Sequence, residues 1–182
     1  HFPLDKVLAL FSAQNIMGIL ATSRPNEGTR ALYEASLGIA KDLWVVPFIR
    51  PYRVRPDIQT WMSDPQTEAL IATEFRRGYY QGIGEFHLSG QAAAAPQVST
   101  TVAFAAKHGL YLHAHADDEA LETLDATVHR GHRPLALIAV QAAVDGDEKT
   151  GRVRPSLVGI GHRSAQLVAR GPQLGHQLDQ LR

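Results

Sequence analysis

The 182-residue chain contains no cysteine. This absence excludes disulfide bonds, cysteine nucleophiles and thiolate metal ligands, and it leaves the redox compartment open. No apolar run approaches the roughly 20 residues that a membrane-spanning helix needs, and no signal-peptide pattern is visible. Eighteen basic side chains balance eighteen acidic ones without a long basic block. We therefore expect neither a membrane nor a nucleic acid as partner, and a cytoplasmic location is favoured.

Aromatic residues are missing from the last third of the chain, where none follows Tyr111. The charge balance also changes, because residues 125–182 hold five acidic and eight basic side chains. We interpret residues 1–182 as a single domain. Residues 2–124 form its regular part, and residues 125–182 form an atypical tail of uncertain structure, with a weak terminal helix indicated over residues 170–182.

Helix-type and strand-type patterns alternate through the regular part. Helices are predicted from Leu4, from Asn26 as a cap, from Asp64 to Gly78, over residues 98–108, and from Asp117 as a cap to about Val128. Strands are predicted in IMGILA, LWVVPFI, YYQGIGEFHL, LYLHAHA and PLALIAV. This alternation favours βαβ units and a parallel sheet. The predicted fold class is α/β, as a partial TIM-like barrel, since a complete barrel needs about 250 residues. An open doubly wound parallel sheet is the alternative.

Two of the predicted strands carry polar side chains near their carboxyl ends. Because side chains alternate along a strand, Ile83, Glu85 and His87 are expected on one face, and His113 and His115 on one face of the other strand. The carboxyl ends of parallel strands form the ligand-binding edge of barrels and open sheets alike. If the strands are neighbours, these groups converge. One carboxylate with several imidazoles suits a divalent metal, zinc first, with manganese or iron as alternatives.

Each of these residues also has a plain structural interpretation. A histidine near a strand end is usually solvated or hydrogen-bonded. Glu85 is more informative, because a buried carboxylate needs a cation, a metal or solvent as partner. Arg50 and Arg53 follow the strand in LWVVPFI, and arginine suits bidentate recognition of a carboxylate or phosphate on a substrate. The alternative for these arginines is an exposed loop stiffened by proline.

Several stretches together resemble one known family. They are FPLDKVLALFSAQNI, ILATSRPNEGTR, LWVVPFIRPYR, EFRRGYYQGIGEFHLSGQ and GLYLHAHADDEALETL. They look like the amidohydrolase superfamily, and most closely its amidohydrolase-related, metal-dependent hydrolases with a TIM-barrel fold. The resemblance covers about residues 2–124 and is most specific at GIGEFHL followed by LYLHAHAD. It implies a metal-bound hydroxide that hydrolyses a small-molecule substrate, or a site that decarboxylates an aromatic acid.

The family pattern also implies roles for individual residues. Family ligands come from a His-x-His on the first strand, a carboxylate or modified lysine on the fourth, and histidines on the fifth and sixth. An aspartate on the eighth strand serves as general base. Glu85 matches the fourth-strand ligand, and His113 matches the fifth-strand histidine best, with His115 as the alternative. Arg50 and Arg53 match a loop that can touch substrate.

The chain also departs from this pattern. It has no opening His-x-His, PLALIAVQAA contains no sixth-strand histidine, and no eighth-strand aspartate can be placed. We therefore expect a truncated chain with impaired catalysis, whose tail is not family sequence, for example after a change of reading frame. Whether the chain is an enzyme stays open. Exposed apolar sheet edges of an incomplete barrel would favour self-association. The alternative function is a non-catalytic α/β ligand-binding module.

Overall fold

Helices and strands alternate along the chain in a computed structural model, which describes residues 3–39, 43–130, 137–141 and 156–160. The α-helices are α1 (Leu4–Ala13), α2 (Glu27–Ile39), α3 (Thr67–Phe75), α4 (Pro96–His108) and α5 (Asp118–Arg130). The strands are β1 (Gly18–Ala21), β2 (Trp44–Ile49), β3 (Gly82–Leu88), β4 (Tyr111–Ala116), β5 (Leu137–Gln141) and β6 (Ser156–Ile160). Short 3₁₀ helices at Arg55–Gln59, Trp61–Ser63 and Gly90–Ala94 complete the described secondary structure.

The strands form one curled, half-barrel sheet in the order β1-β2-β3-β4-β5-β6. Each strand from β2 to β5 runs parallel to the one before it, and β6 pairs antiparallel with β5. The predicted α/β class with parallel strands is confirmed. A doubly wound sheet reverses its strand order at a switch point, whereas a barrel keeps sequence order. The observed order of the parallel strands therefore favours the partial barrel.

The tail contributes two described strands to this sheet. The strand predicted in PLALIAV is present as β5, whereas β6 was not predicted from the sequence. The predicted terminal helix over residues 170–182 lies outside the described residues.

Two of the predicted helix ends depend on a single residue each. Asp117 caps α5, because its Oδ1 accepts hydrogen bonds of 2.9 Å from the backbone N–H groups of Ala120 and Gly90. These hydrogen bonds lower the pKa of the Asp117 carboxyl. Gly109 ends α4 in the left-handed conformation, with φ +66°, as predicted for a glycine at this position. Helix α3 begins at Thr67, three residues after the predicted start at Asp64.

The face of the sheet toward the helices is apolar. Along the β3–β4 ladder, Leu112, Ala114 and Ala116 of β4 and Phe86 and Leu88 of β3 are buried. They belong to a continuous core that includes side chains of α3, α4 and α5. Because this face of β3 and β4 packs against the helices, their opposite face points away from the helices. The opposite face carries the polar residues.

A one-residue bulge interrupts the alternation of side chains in β3. The ladder pairs Gly84 with His113 and Phe86 with Ala114, so that Glu85 is the extra residue. Ile83 pairs with Leu112 and is fully buried in the core, on the opposite face from Glu85. The expectation that Ile83 shares a face with Glu85 and His87 is therefore wrong, because strict alternation ends at the bulge.

Two glycines of β3 allow close approach to neighbouring groups. A Cβ atom on Gly84 would clash with the backbone carbonyl oxygen of His113 on β4, and one on Gly82 would clash with the Phe48 ring. The Phe48 ring lies edge-on to the His113 ring, with centroids 6.2 Å apart. The glycines of GIGEF therefore serve the packing of β2, β3 and β4 around the polar face.

Candidate functional site

Glu85 lies at the centre of a polar cluster that runs from the middle of β3 and β4 toward their carboxyl ends, where His87 and His115 are next to last. Its Oε1 is 2.6 Å from His115 Nε2 and 3.8 Å from His87 Nε2. Its Oε2 accepts a hydrogen bond of 3.0 Å from Arg50 Nη2. The rings of His87 and His115 stack with centroids 4.8 Å apart. The rim cluster is the name used below for five residues: Arg50, Glu85, His87, His113 and His115.

His113 is the most enclosed imidazole of the rim cluster. Its Nδ1 atom is buried and has no hydrogen-bond partner among the described residues, and its ring centroid lies 5.8 Å from that of His115. Burial lowers the pKa of His113 to about 4, although the nearby Glu85 carboxylate opposes this shift. The side chain is therefore a neutral imidazole near pH 7.

Arg50 enters the rim cluster as a buried cation, 6% exposed. Besides its bond to the Glu85 carboxylate, Nη1 donates to the backbone carbonyl oxygen of Glu85 at 2.7 Å and to the Tyr52 hydroxyl at 2.9 Å. The sequence pattern predicts that Arg50 binds substrate. In the structure its guanidinium faces Glu85, so its first partner is a residue of the same chain.

Asn26 holds the backbone of Arg50 from both sides. The Asn26 Oδ1 accepts from the Arg50 N–H at 2.7 Å, and Asn26 Nδ2 donates to the Arg50 carbonyl oxygen at 3.0 Å. Asn26 is at the predicted cap position, directly before α2, and its carbonyl oxygen accepts from the Arg30 N–H at 3.0 Å. Its side chain does not cap the helix, because both ends of its amide bind the end of β2. The helical N–H of Thr29 instead donates to Ser23 Oγ at 2.6 Å.

Thr22 and Trp61 fix the backbone of β3 around the rim cluster, although neither is predicted from the sequence as a site residue. Thr22 Oγ1 donates to the Gly84 carbonyl oxygen at 2.6 Å and accepts from the Glu85 N–H at 3.1 Å. Trp61 Nε1 donates to the His87 carbonyl oxygen at 3.3 Å. Because Thr22 directly follows the strand pattern of β1, its position could have indicated a polar residue at a strand end. Trp61 follows an irregular segment, in which periodicity gives no signal.

Arg53, the other predicted substrate-binding arginine, lies in a different place. It is exposed and lines a surface cavity of ≈ 400 Å³ next to α2 and α3. Glu27 and Glu74 line the same cavity. The structure thus brings only Arg50 of the two arginines to Glu85.

The electrostatics of the rim cluster favour an ionised Glu85. Partial burial raises the pKa of Glu85. Arg50 and then the three imidazoles lower this pKa by more than burial raises it, so the net pKa is below the usual value. Burial, followed by the neighbouring His115, lowers the pKa of His87. Burial also raises the pKa of the Tyr52 phenol, which therefore stays neutral. Near pH 7 the carboxylate of Glu85 balances the guanidinium of Arg50.

The rim cluster fits a transition metal by donor type, since it offers a carboxylate and imidazole nitrogens. Its arrangement is that of a hydrogen-bonded ion pair. Two ligands of one tetrahedral zinc lie about 3.3 Å apart, longer than the 2.6 Å between Glu85 Oε1 and His115 Nε2. Arg50 holds the other oxygen of Glu85. Accordingly, no three His, Asp or Glu side chains in the described part of the chain are placed to hold a metal ion.

We predict that burial of neutral His113 makes stability depend on pH. Its folded pKa of about 4 lies below the value near 6.5 expected in the unfolded chain, which therefore binds the proton first. This contribution is complete above pH 6.5 and is lost as pH falls toward 4, by about 2–3 kcal/mol. Urea unfolding at both pH values checks it. His113→Leu should flatten the profile, and an equally steep profile in that variant would contradict the prediction.

The fold and the rim cluster together define an α/β protein with a barrel-type sheet and a polar site at the carboxyl ends of its strands. Comparisons with protein-family models, with curated proteins and with solved structures found no match. None of the helices in the described ranges is both long and apolar enough to cross a membrane.

Proposed function

We propose that the chain carries part of the active site of a metal-dependent hydrolase of the amidohydrolase type. Its substrate would be a small molecule, changed by hydrolysis or decarboxylation. One observation carries the proposal: Glu85 Oε1 lies within 3.8 Å of the Nε2 atoms of both His87 and His115. Of these groups, His87 and His115 are next to last in adjacent parallel strands, close to the carboxyl ends where barrel enzymes have their active sites. The sequence resemblance over residues 2–124 supports the same class.

The chain's own residues have separate roles in this proposal. Glu85, His87, His113 and His115 are the donors that would hold a divalent ion, zinc first and manganese or iron as alternatives. Such an ion would supply Lewis acidity and lower the pKa of a bound water toward about 7. Arg50 orients the Glu85 carboxylate through Oε2, which leaves Oε1 directed toward the imidazoles. We expect weak catalysis by the isolated chain, because the first-strand and sixth-strand family ligands were not found.

We predict that the purified chain binds zinc through the rim cluster. Isothermal titration of the metal-free protein with Zn²⁺ should give one site per chain. Glu85→Ala and His115→Ala should each weaken it at least about tenfold, because each removes one donor. His108→Ala is the matched control, since His108 lies on α4 against Phe75 and Phe104. Absence of zinc binding, or equal binding in all variants, would contradict the proposal.

A non-catalytic α/β ligand-binding module is the second candidate function. The ion pair between Arg50 and Glu85, 3.0 Å long, favours it, because the carboxylate is already compensated without a metal. In that case Glu85 and the histidines would line a crevice for a small polar ligand. The same zinc titration separates the two candidates, since only the hydrolase requires metal bound at Glu85.

A further inference from the structure

We infer that Arg50 is the built-in cation of the rim cluster and that it sets the affinity of the cluster for divalent metal ions by competing with them for Glu85. The inference rests on the proposed function, because it concerns the same donors. It makes a statement about metal binding alone, however, and does not require turnover.

The placement of Arg50 is the basis of the inference. Its side chain ends in a guanidinium cation and is 7% exposed. One nitrogen binds Glu85 Oε2, and another binds the Glu85 carbonyl oxygen and the Tyr52 hydroxyl. Asn26 clamps the Arg50 backbone at both its N–H and its carbonyl oxygen. Arg50 is therefore held in place, and Glu85 is the carboxylate that balances its charge.

A divalent ion at Glu85 would disturb this balance in two ways. It would place two further positive charges beside a guanidinium that is shielded from water. It would also draw the Glu85 carboxylate away from Arg50 and leave a buried charge without full compensation, which is costly. Removing the charge of Arg50 should therefore strengthen metal binding.

Titration with Zn²⁺ alone tests the inference on the full chain. Arg50→Gln, which removes the charge and keeps an N–H donor, should bind Zn²⁺ at least tenfold more tightly than the original chain. Arg50→Lys keeps the charge and should show little of that gain. Arg53→Gln is the control for loss of a positive charge outside the rim cluster, and it should leave the affinity unchanged. Adding Glu85→Gln to Arg50→Gln should abolish the gain.

The outcomes are distinct for the inference and for the proposed function. A folded Arg50→Gln chain that binds Zn²⁺ no more tightly than the original overturns the inference, even if zinc binding through Glu85 supports the hydrolase. If Arg50→Gln is unfolded without metal, Zn²⁺ should restore its far-ultraviolet circular dichroism, and a chain that stays unfolded at saturating Zn²⁺ overturns the inference. Tighter binding without hydrolysis of any ester or amide supports the inference and counts against the hydrolase.

Discussion

Replacing Glu85 with glutamine is expected to destabilise the folded chain by about 2 kcal/mol at pH 7. The substitution keeps the size of the side chain but removes the negative charge that balances buried Arg50. The value is below that of a fully buried pair, because the Glu85 side chain is 26% exposed. Urea unfolding followed by tryptophan fluorescence measures the change.

The matched control for this substitution is Glu122→Gln, at an exposed glutamate of α5, which should change stability by less than about 0.5 kcal/mol. A double-mutant cycle with Arg50→Gln should show that the two losses are not additive. The pKa of Glu85 is lowered in the folded chain, so its contribution is present above the unfolded value and is lost as pH falls through the folded value. Equal stability of Glu85→Gln and Glu122→Gln at pH 7 would show that Glu85 carries no balancing charge.

Replacing Trp61 with alanine is expected to cost about 3–5 kcal/mol. Trp61 is 1% exposed, and its ring centroid lies 5.0 Å from that of Phe86 on β3. Its indole N–H also donates to the carbonyl oxygen of His87, so the loss removes both core packing and a support of the rim cluster. Urea unfolding measures the loss of stability. A variant that is already unfolded in buffer would also agree with this prediction.

Trp61→Phe separates the two contributions of this side chain. It retains most of the ring packing against Phe86 and removes only the hydrogen bond to His87, so it should cost about half as much or less. If Trp61→Ala were destabilised by under 1 kcal/mol, Trp61 would not be part of the main core. If both variants were equally destabilised, the hydrogen bond rather than the packing would dominate.

The sequence was sufficient to predict the α-helices, the strands β1 to β5 and their parallel α/β class, but not β6 or the order in which the strands pair. The helical pattern from Leu4 and the strand patterns of β2 to β5 gave the α/β class, since hydrophobic period and end residues act locally. Alternation of this kind is the same in barrels and in doubly wound sheets. Only the pairing of the strands, which depends on tertiary contacts, gave the sequential order of a half-barrel.

The rim cluster was predictable to a similar degree. The positions of Glu85 and His115 near strand ends correctly indicated that these side chains meet. The bulge at Glu85 could not be predicted from GIGEFHL, because it is defined by the pairing of β3 with β4. The partnership of Arg50 with Glu85 was also missed. The two residues are 35 positions apart in the sequence. Their contact could be predicted only if the pairing register of β2 and β3 were known.

The positions of the three histidines around Glu85 are tested most directly by nuclear magnetic resonance titration of the imidazole rings. We predict a pKa of about 4 for His113 and a lowered pKa for His87 in the original chain. In Glu85→Gln both values should fall further, because the carboxylate that favours the protonated rings is gone. If His87 and His113 instead titrate near 6.5 and do not respond to Glu85→Gln, the rim cluster itself is contradicted.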